Sequence, residues 1–334
     1  MKIEDFKILS KIGSGNEGTI FKCLNKVNNV EYAYKIEKIL EERVKTINKT
    51  NNPIYRELHF IDTVASKYPD YFMQLYYYWI DDKCDYYNHE SSSTDNDSLN
   101  NSNYCIIKIY SLVDAILPDI VNKLNTKQRY SIIIQLSYII YLLTKHKYIH
   151  GDLHIRNIGV KYVDKNKKQD IFGNMVPLYG YQIVIIDYGN VLNKKHIDKK
   201  NKKEKSKYSS LFKEQLWRSL SNICYSDKFF STVKWQNFNV TKFVSLCKKA
   251  KWLNNSTFRK IKCFDAKLIY ALVSKYSNMI QKIYLNSCGQ EYKKEYPIKL
   301  YLPLEDFYII LSNSVCDSEV KIKKITKIFI DKLT

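Results

Sequence analysis

Apolar and polar positions alternate along the first part of the chain and then give way to helical spacing. Phe6-Lys7-Ile8-Leu9-Ser10-Lys11-Ile12 carries apolar residues near a two-residue period, the mark of a half-buried strand. Residues 19–24 resume that pattern after a glycine cluster, 25–29 read as a turn, and 31–36 form a third strand. Residues 53–66 switch to a helical period, with Pro53 in the first turn and Ile54, Leu58, Ile61 and Ala65 on one face. Residues 74–80 and 104–110 are apolar and aromatic and predict two further strands. Between them, 85–103 has few large apolar residues after Tyr87 and predicts a disordered surface insertion. Helical spacing dominates from Thr126 onward. Residues 128–145 carry aliphatics nearly all round, so that helix should be deeply buried. A strand-rich stretch at about 149–190, a lysine-rich loop at 194–207 and several helices follow. The expected architecture is α+β: a small sheet-rich part over 1–110 joined to a larger helical part over 111–334.

Composition narrows the class without choosing a function. A chain of 334 residues with 45% apolar content can bury a large core, as one large domain or as two lobes sharing a cleft. Its longest apolar stretch, 131–143, is interrupted by Gln135, Ser137 and Tyr138 and is too short to cross a bilayer. Met1-Lys2-Ile3-Glu4-Asp5 lacks the apolar core of a secretory signal, so a cytoplasmic location is expected. The 8 cysteines are scattered with no Cys-x-x-Cys pair, which predicts reduced, mostly buried thiols and no structural zinc. The net charge of +20 attracts polyanions in general, but the surplus lysine is spread along the chain and selects no partner.

Chemistry concentrates in a few short segments. Gly13-Ser14-Gly15-Asn16-Glu17-Gly18-Thr19-Ile20 fits G-x-G-x-x-G-x-V with Ile for Val; such glycines let backbone N–H groups approach phosphates. A strand follows it, not the helix of a dinucleotide fold. Lys35, in Ala33-Tyr34-Lys35, sits in a strand that is otherwise half buried, and a buried ammonium needs an anion. Glu57 on the following helix is the preferred carboxylate; Glu37, Glu41 and Glu42 are close in sequence and stay open as alternatives. The densest signal is His150-Gly151-Asp152-Leu153-His154-Ile155-Arg156-Asn157, followed by the apolar strand 183–186 and Asp187-Tyr188-Gly189.

In these segments the chain resembles the eukaryotic protein-kinase superfamily, whose corresponding motifs are H-R-D-x-x-x-x-N and D-F-G. The spacing of Asp152 to Asn157 is kept, and so is the order of glycine loop, lysine, glutamate, catalytic loop and metal aspartate. The likeness covers about residues 6–190 by motif. It implies a bilobal protein-kinase-like fold, with a sheet-rich N-lobe and a helical C-lobe, and transfer of the ATP γ-phosphate to a protein hydroxyl. Asp152 would be the catalytic base and Asn157 and Asp187 the Mg2+ ligands. Lys35 would hold the ATP phosphates, with Glu57 orienting it. Ile12, Gly13, Ser14, Gly15, Gly18 and Ile20 would cover the nucleotide, Ala33 would line the adenine pocket, and Lys108, Ile109 and Tyr110 would form the hinge.

Several residues depart from that pattern. Gly151 replaces the arginine that pairs with a phosphorylated activation loop. His154 stands where serine/threonine kinases carry a lysine near the γ-phosphate, Tyr188 replaces Phe, and no Ala-Pro-Glu follows. A hairpin-like insertion, 161–181, separates the catalytic loop from the metal strand, and 211–217 reads as a central helix of the large lobe with Gln215 in place of the frequent aspartate. These features resemble divergent kinases of large DNA viruses, including poxvirus-type ones, which implies the host cytoplasm or the virion. The loop also resembles that of aminoglycoside and choline kinases, so a small-molecule or lipid kinase is the alternative enzyme, and a pseudokinase binding module the non-enzymatic one. Residues 194–207 could recruit an acidic substrate, nucleic acid or an anionic membrane; a solvated loop explains the same lysines.

Overall fold

Alternating side chains build the N-terminal region as a sheet with two different faces. In the structure, a computed structural model describing residues 3–15, 18–82, 104–197, 208 and 318–333, five strands pair antiparallel in the order β1-β2-β3-β5-β4. They are β1 (Phe6–Gly15), β2 (Gly18–Asn25), β3 (Glu31–Ile39), β4 (Leu75–Asp81) and β5 (Tyr104–Ser111). On one face Tyr32, Tyr34 and Ile36 pack with Phe6, Cys23, Ile107 and Ile109. The other face carries Ala33, Lys35 and Glu37 of β3, directly opposite Tyr110, Lys108 and Ile106 of β5. Helix α1 (Pro53–Thr63) lies against this second face. Asn52 caps it, accepting from Ile54 N at 2.9 Å with Pro53 in the first turn, and it buries Ile54, Glu57, Phe60 and Ile61.

The long helices come later in the chain, so the architecture is α+β with a sheet-rich N-terminal region. Strand β6 (Ala115–Ile116) precedes helix α2 (Thr126–Lys145), which starts at a reciprocal box: Asn125 Oδ1 accepts from Gln128 N and Gln128 Oε1 from Asn125 N. As its near-continuous aliphatic surface predicts, α2 is buried on almost every side. The chain continues through β7 (Tyr148–Ile149), β8 (Ile158–Tyr162), β9 (Lys168–Ile171), β10 (Asn174–Pro177), β11 (Tyr181–Ile185) and β12 (Leu192–Asn193). Strands β11, β8 and β6 form a small sheet, β7 pairs with β12, and β9 with β10 forms the hairpin expected within 161–181. Helix α3 (Glu319–Leu333) buries Ile322, Ile325, Phe329 and Ile330 against the core that α2 dominates.

A short bridge ties the two sheets. Phe72 pairs with Ile185 of β11, Met73 N donates to Ile185 O at 3.0 Å, and Ile185 N to Tyr71 O at 2.9 Å. The insertion expected at 85–103, the lysines of 198–207 and the central helix expected at 211–217 lie outside the described residues. No helix among the described residues is long and apolar enough to cross a membrane. One cysteine departs from expectation: Cys105 is disulfide-bonded, while Cys23 is a buried free thiol.

Candidate functional site

The loop after β7 is shaped by backbone constraints before any chemistry enters. His150 is buried, and its Nε2 lies 3.0 Å from Ile186 O; a carbonyl cannot donate, so Nε2 carries the proton. Burial pushes the His150 pKa down, so the ring is neutral and braces the loop against the strand end. Gly151 has φ +83°, and a Cβ there would collide with Asn190 O. Asn157 closes the loop: its backbone N donates to His154 O at 2.9 Å, and its Nδ2 donates to Asp152 O at 2.9 Å. That second bond fixes the amide, leaving Oδ1 as the end that can ligate a cation. Ile186 N donates to Asn157 O at 3.1 Å, joining the loop to the end of β11. Asp152 itself is half exposed. The nearby His154 accepts from Arg156 N at Nδ1, which places the proton of a neutral ring on Nε2, 3.6 Å from Asp152 Oδ2.

Asp187 follows immediately at φ +62°, an unusual conformation for a residue with a Cβ, and such positions cluster at functional sites. Two contacts hold it there. Lys35 Nζ donates to Asp187 Oδ1 at 3.0 Å, and Tyr188 OH shares its hydrogen between Ile185 O at 2.7 Å and Met73 O at 3.1 Å. The Tyr188 ring is fully buried against Phe60 of α1, with centroids 5.0 Å apart. Burial would raise the Asp187 pKa, but the Lys35 ammonium outweighs it and holds the carboxyl below the usual range.

Lys35 is paired differently from expectation. Its ammonium contacts Glu37 as well as Asp187, while Glu57 makes its contacts elsewhere: Oε2 lies 2.5 Å from Lys108 Nζ, and Oε1 accepts from Tyr110 OH at 2.6 Å. Glu37 Oε2 also lies 2.5 Å from Lys108 Nζ. Burial works against the charge on both lysines, yet Glu37 and Asp187 around Lys35, and Glu57 and Glu37 around Lys108, hold both above the ordinary lysine value. Residues 108–110 therefore are not a hinge. They lie inside β5, whose backbone is paired with β3 on one side and β4 on the other. Ile109 faces the opposite apolar cluster, and the chain leaves the sheet only after Ser111.

The glycine segment forms the tip of the β1–β2 hairpin, with Gly13 opposite Ile20, Ser14 opposite Thr19 and Gly15 opposite Gly18; Asn16 and Glu17 lie outside the described residues. Its glycines have different causes. Gly18, at φ +146°, would collide with Ile36 O if it bore a Cβ, so sheet packing alone requires it. Gly13 has no such reason: a Cβ there would meet only Ile20, at 3.8 Å. Packing therefore does not require a glycine at this position. Ile12 is half exposed, Ile20 is partly buried on the main core, and Ala33 is buried opposite Tyr110. Among the described residues no three His, Cys, Asp or Glu side chains are grouped to hold a metal unaided. A cation at Asp187 and Asn157 would complete its shell with phosphate and water, the usual manner of magnesium.

No family model matches this chain, and no curated protein matches it.

Proposed function

We propose that the chain is an ATP-dependent protein kinase of bilobal kinase-like fold, acting on serine or threonine hydroxyls. The observation that carries this reading is the Lys35–Asp187 pair at 3.0 Å, which brings together residues 152 positions apart beside the loop bearing Asp152 and Asn157. A lysine of the first sheet meeting an aspartate of positive φ just beyond β11 supports this reading.

Each group then has a defined task. Magnesium, when bound with ATP, supplies positive charge that neutralises the phosphates. Asp187 and the Oδ1 of Asn157 are the oxygen donors that would hold it. Lys35 holds phosphate oxygens, and the bare Gly13 backbone admits them closely. Asp152 orients the acceptor hydroxyl and takes its proton as that oxygen bonds to the γ-phosphorus and the bond from phosphorus to the β–γ bridging oxygen breaks. His154 presents Nε2 toward Asp152 and adds a donor, or a charge when protonated.

The test is phosphoryl transfer by the purified chain with magnesium and ATP to casein and a basic protein, with choline and an aminoglycoside in parallel. Transfer to protein should fall at least about 100-fold in Asp187→Asn, with thermal unfolding unchanged. Transfer to choline or an aminoglycoside alone would move the assignment to a small-molecule kinase. ATP binding without turnover toward any acceptor would make it a binding module.

A further inference from the structure

The sheet face beneath α1 holds more charge than gripping phosphate requires. Lys35 and Lys108 stand directly opposite each other on β3 and β5, where like charges destabilise a ladder. The Lys108 side chain has 0% exposure, and an ammonium so placed persists only when carboxylates surround it. Glu37 resolves the conflict by division, Oε1 on Lys35 and Oε2 on Lys108. Glu57 then anchors Lys108 to helix α1, with Tyr110 fixing its other oxygen. The contacts run in series: Glu57, Lys108, Glu37, Lys35, Asp187.

Resting on the kinase reading above, we propose that Glu37 is the carboxylate that positions Lys35, and that Lys108 is the joint through which helix α1 controls it. A shift of α1 that withdraws Glu57 draws Lys108 with it, unbalances Glu37 and loosens Lys35 from the catalytic turn. Glu37 and Lys108 are positioning residues, since they act through Lys35.

The experiment has two independent readouts on the purified chain. The first is the affinity for magnesium-ATP by isothermal titration calorimetry, which needs no turnover. Glu37→Gln should weaken binding by about tenfold, and by more than Glu57→Gln does. Lys108→Met should weaken it as well, because Glu37 is then left unbalanced beside Lys35. The second readout is steady-state turnover of ATP. Glu37→Gln and Lys108→Met should each raise KM for ATP and lower kcat by about tenfold, and the double variant should be little worse than either single one. Lys108→Arg, which keeps the charge, should recover part of the loss. If Lys108→Met fails to fold, Lys108→Met with Glu57→Gln removes one charge of each sign and repeats the measurement. A larger loss of ATP affinity in Glu57→Gln than in Glu37→Gln overturns the proposal, as does wild-type KM and kcat in Lys108→Met. A chain that shows the affinity losses but transfers no phosphate overturns the kinase reading instead and leaves the chain of contacts standing.

Discussion

Gly151 decides a question that its neighbours raise. In the resembled family an arginine fills this position, so restoring it looks like a repair. The backbone says otherwise: φ is +83°, and any Cβ would strike Asn190 O, a main-chain atom that cannot swing away. Gly151→Arg should cost about 2–4 kcal/mol of stability, read as a lower thermal midpoint, and Gly151→Ala nearly as much, because backbone and Cβ set the penalty and the long side chain adds little. An arginine variant as stable as the original would show that the loop can take another path. Asp187 presents the converse case. Its positive φ is sustained by Lys35 and by the Tyr188 hydroxyl, so strain is kept where the proposed transfer needs a carboxylate aimed at one point.

At the scale of elements, local pattern made most of the described fold legible. The strands expected at 74–80 and 104–110 are β4 and β5, within a residue at each end, and the helix expected from Pro53 is α1, which stops at Thr63. What the pattern concealed was register. Lys35 and Glu37 share a face because they are two apart in one strand, a signal present in the sequence, although a helix glutamate is the preferred reading there. Lys108, a lone charge among Ile106, Ile107 and Ile109, marked a buried ion in the same way, yet reads as hinge unless its strand is known to lie centrally. Cross-strand partners are set by folding of distant segments, so no local spacing shows that Lys108 meets Lys35. Gln135 illustrates the same limit on α2. Inside an apolar helix it looks like an interruption, but its amide donates to Tyr181 O at 3.0 Å and accepts from Ile183 N at 2.8 Å, pairing two backbone groups of β11. Gln135→Leu should therefore destabilise by about 2–4 kcal/mol despite its greater hydrophobicity, since both groups lose a partner away from water. Chemical denaturation gives the number, and a stabilised leucine variant would contradict the assignment.

Across the whole molecule, buried titratable groups set a pH window for stability. His146, His150 and His196 lie at the end of α2, in the loop after β7 and after β12, and burial lowers all three pKa values. Their neighbours mostly reinforce this: Lys145 and Lys67 beside His146, against Glu319, and His59, Arg56 and Lys195 beside His196. Around His150, Asp187 and Asp152 pull the other way without overcoming burial. A base whose folded pKa is depressed binds fewer protons folded than unfolded, so stability falls as pH drops below the unfolded value of about 6.5. Glu37 and Asp187 are acids held low by lysines, so their contribution is present above an unfolded pKa of about 4 and is lost as pH falls further through their folded values. Lys35 and Lys108 are held high, so theirs is present below about 10.4 and is lost as pH rises through their folded values. Stability should therefore be greatest between about pH 7 and 10, decline first from about 6.5 on the histidines, and decline again below about 4 on the carboxylates. Denaturant unfolding at pH 8, 6.5 and 5.5 checks the first step. His196→Asn, at a half-buried ring packed against Tyr55 and His59, should shallow the decline between pH 6.5 and 5.5. A chain that gains stability over that interval would mean that the imidazoles find acidic partners in the folded state, contrary to the lysine- and arginine-flanked surroundings of His146 and His196.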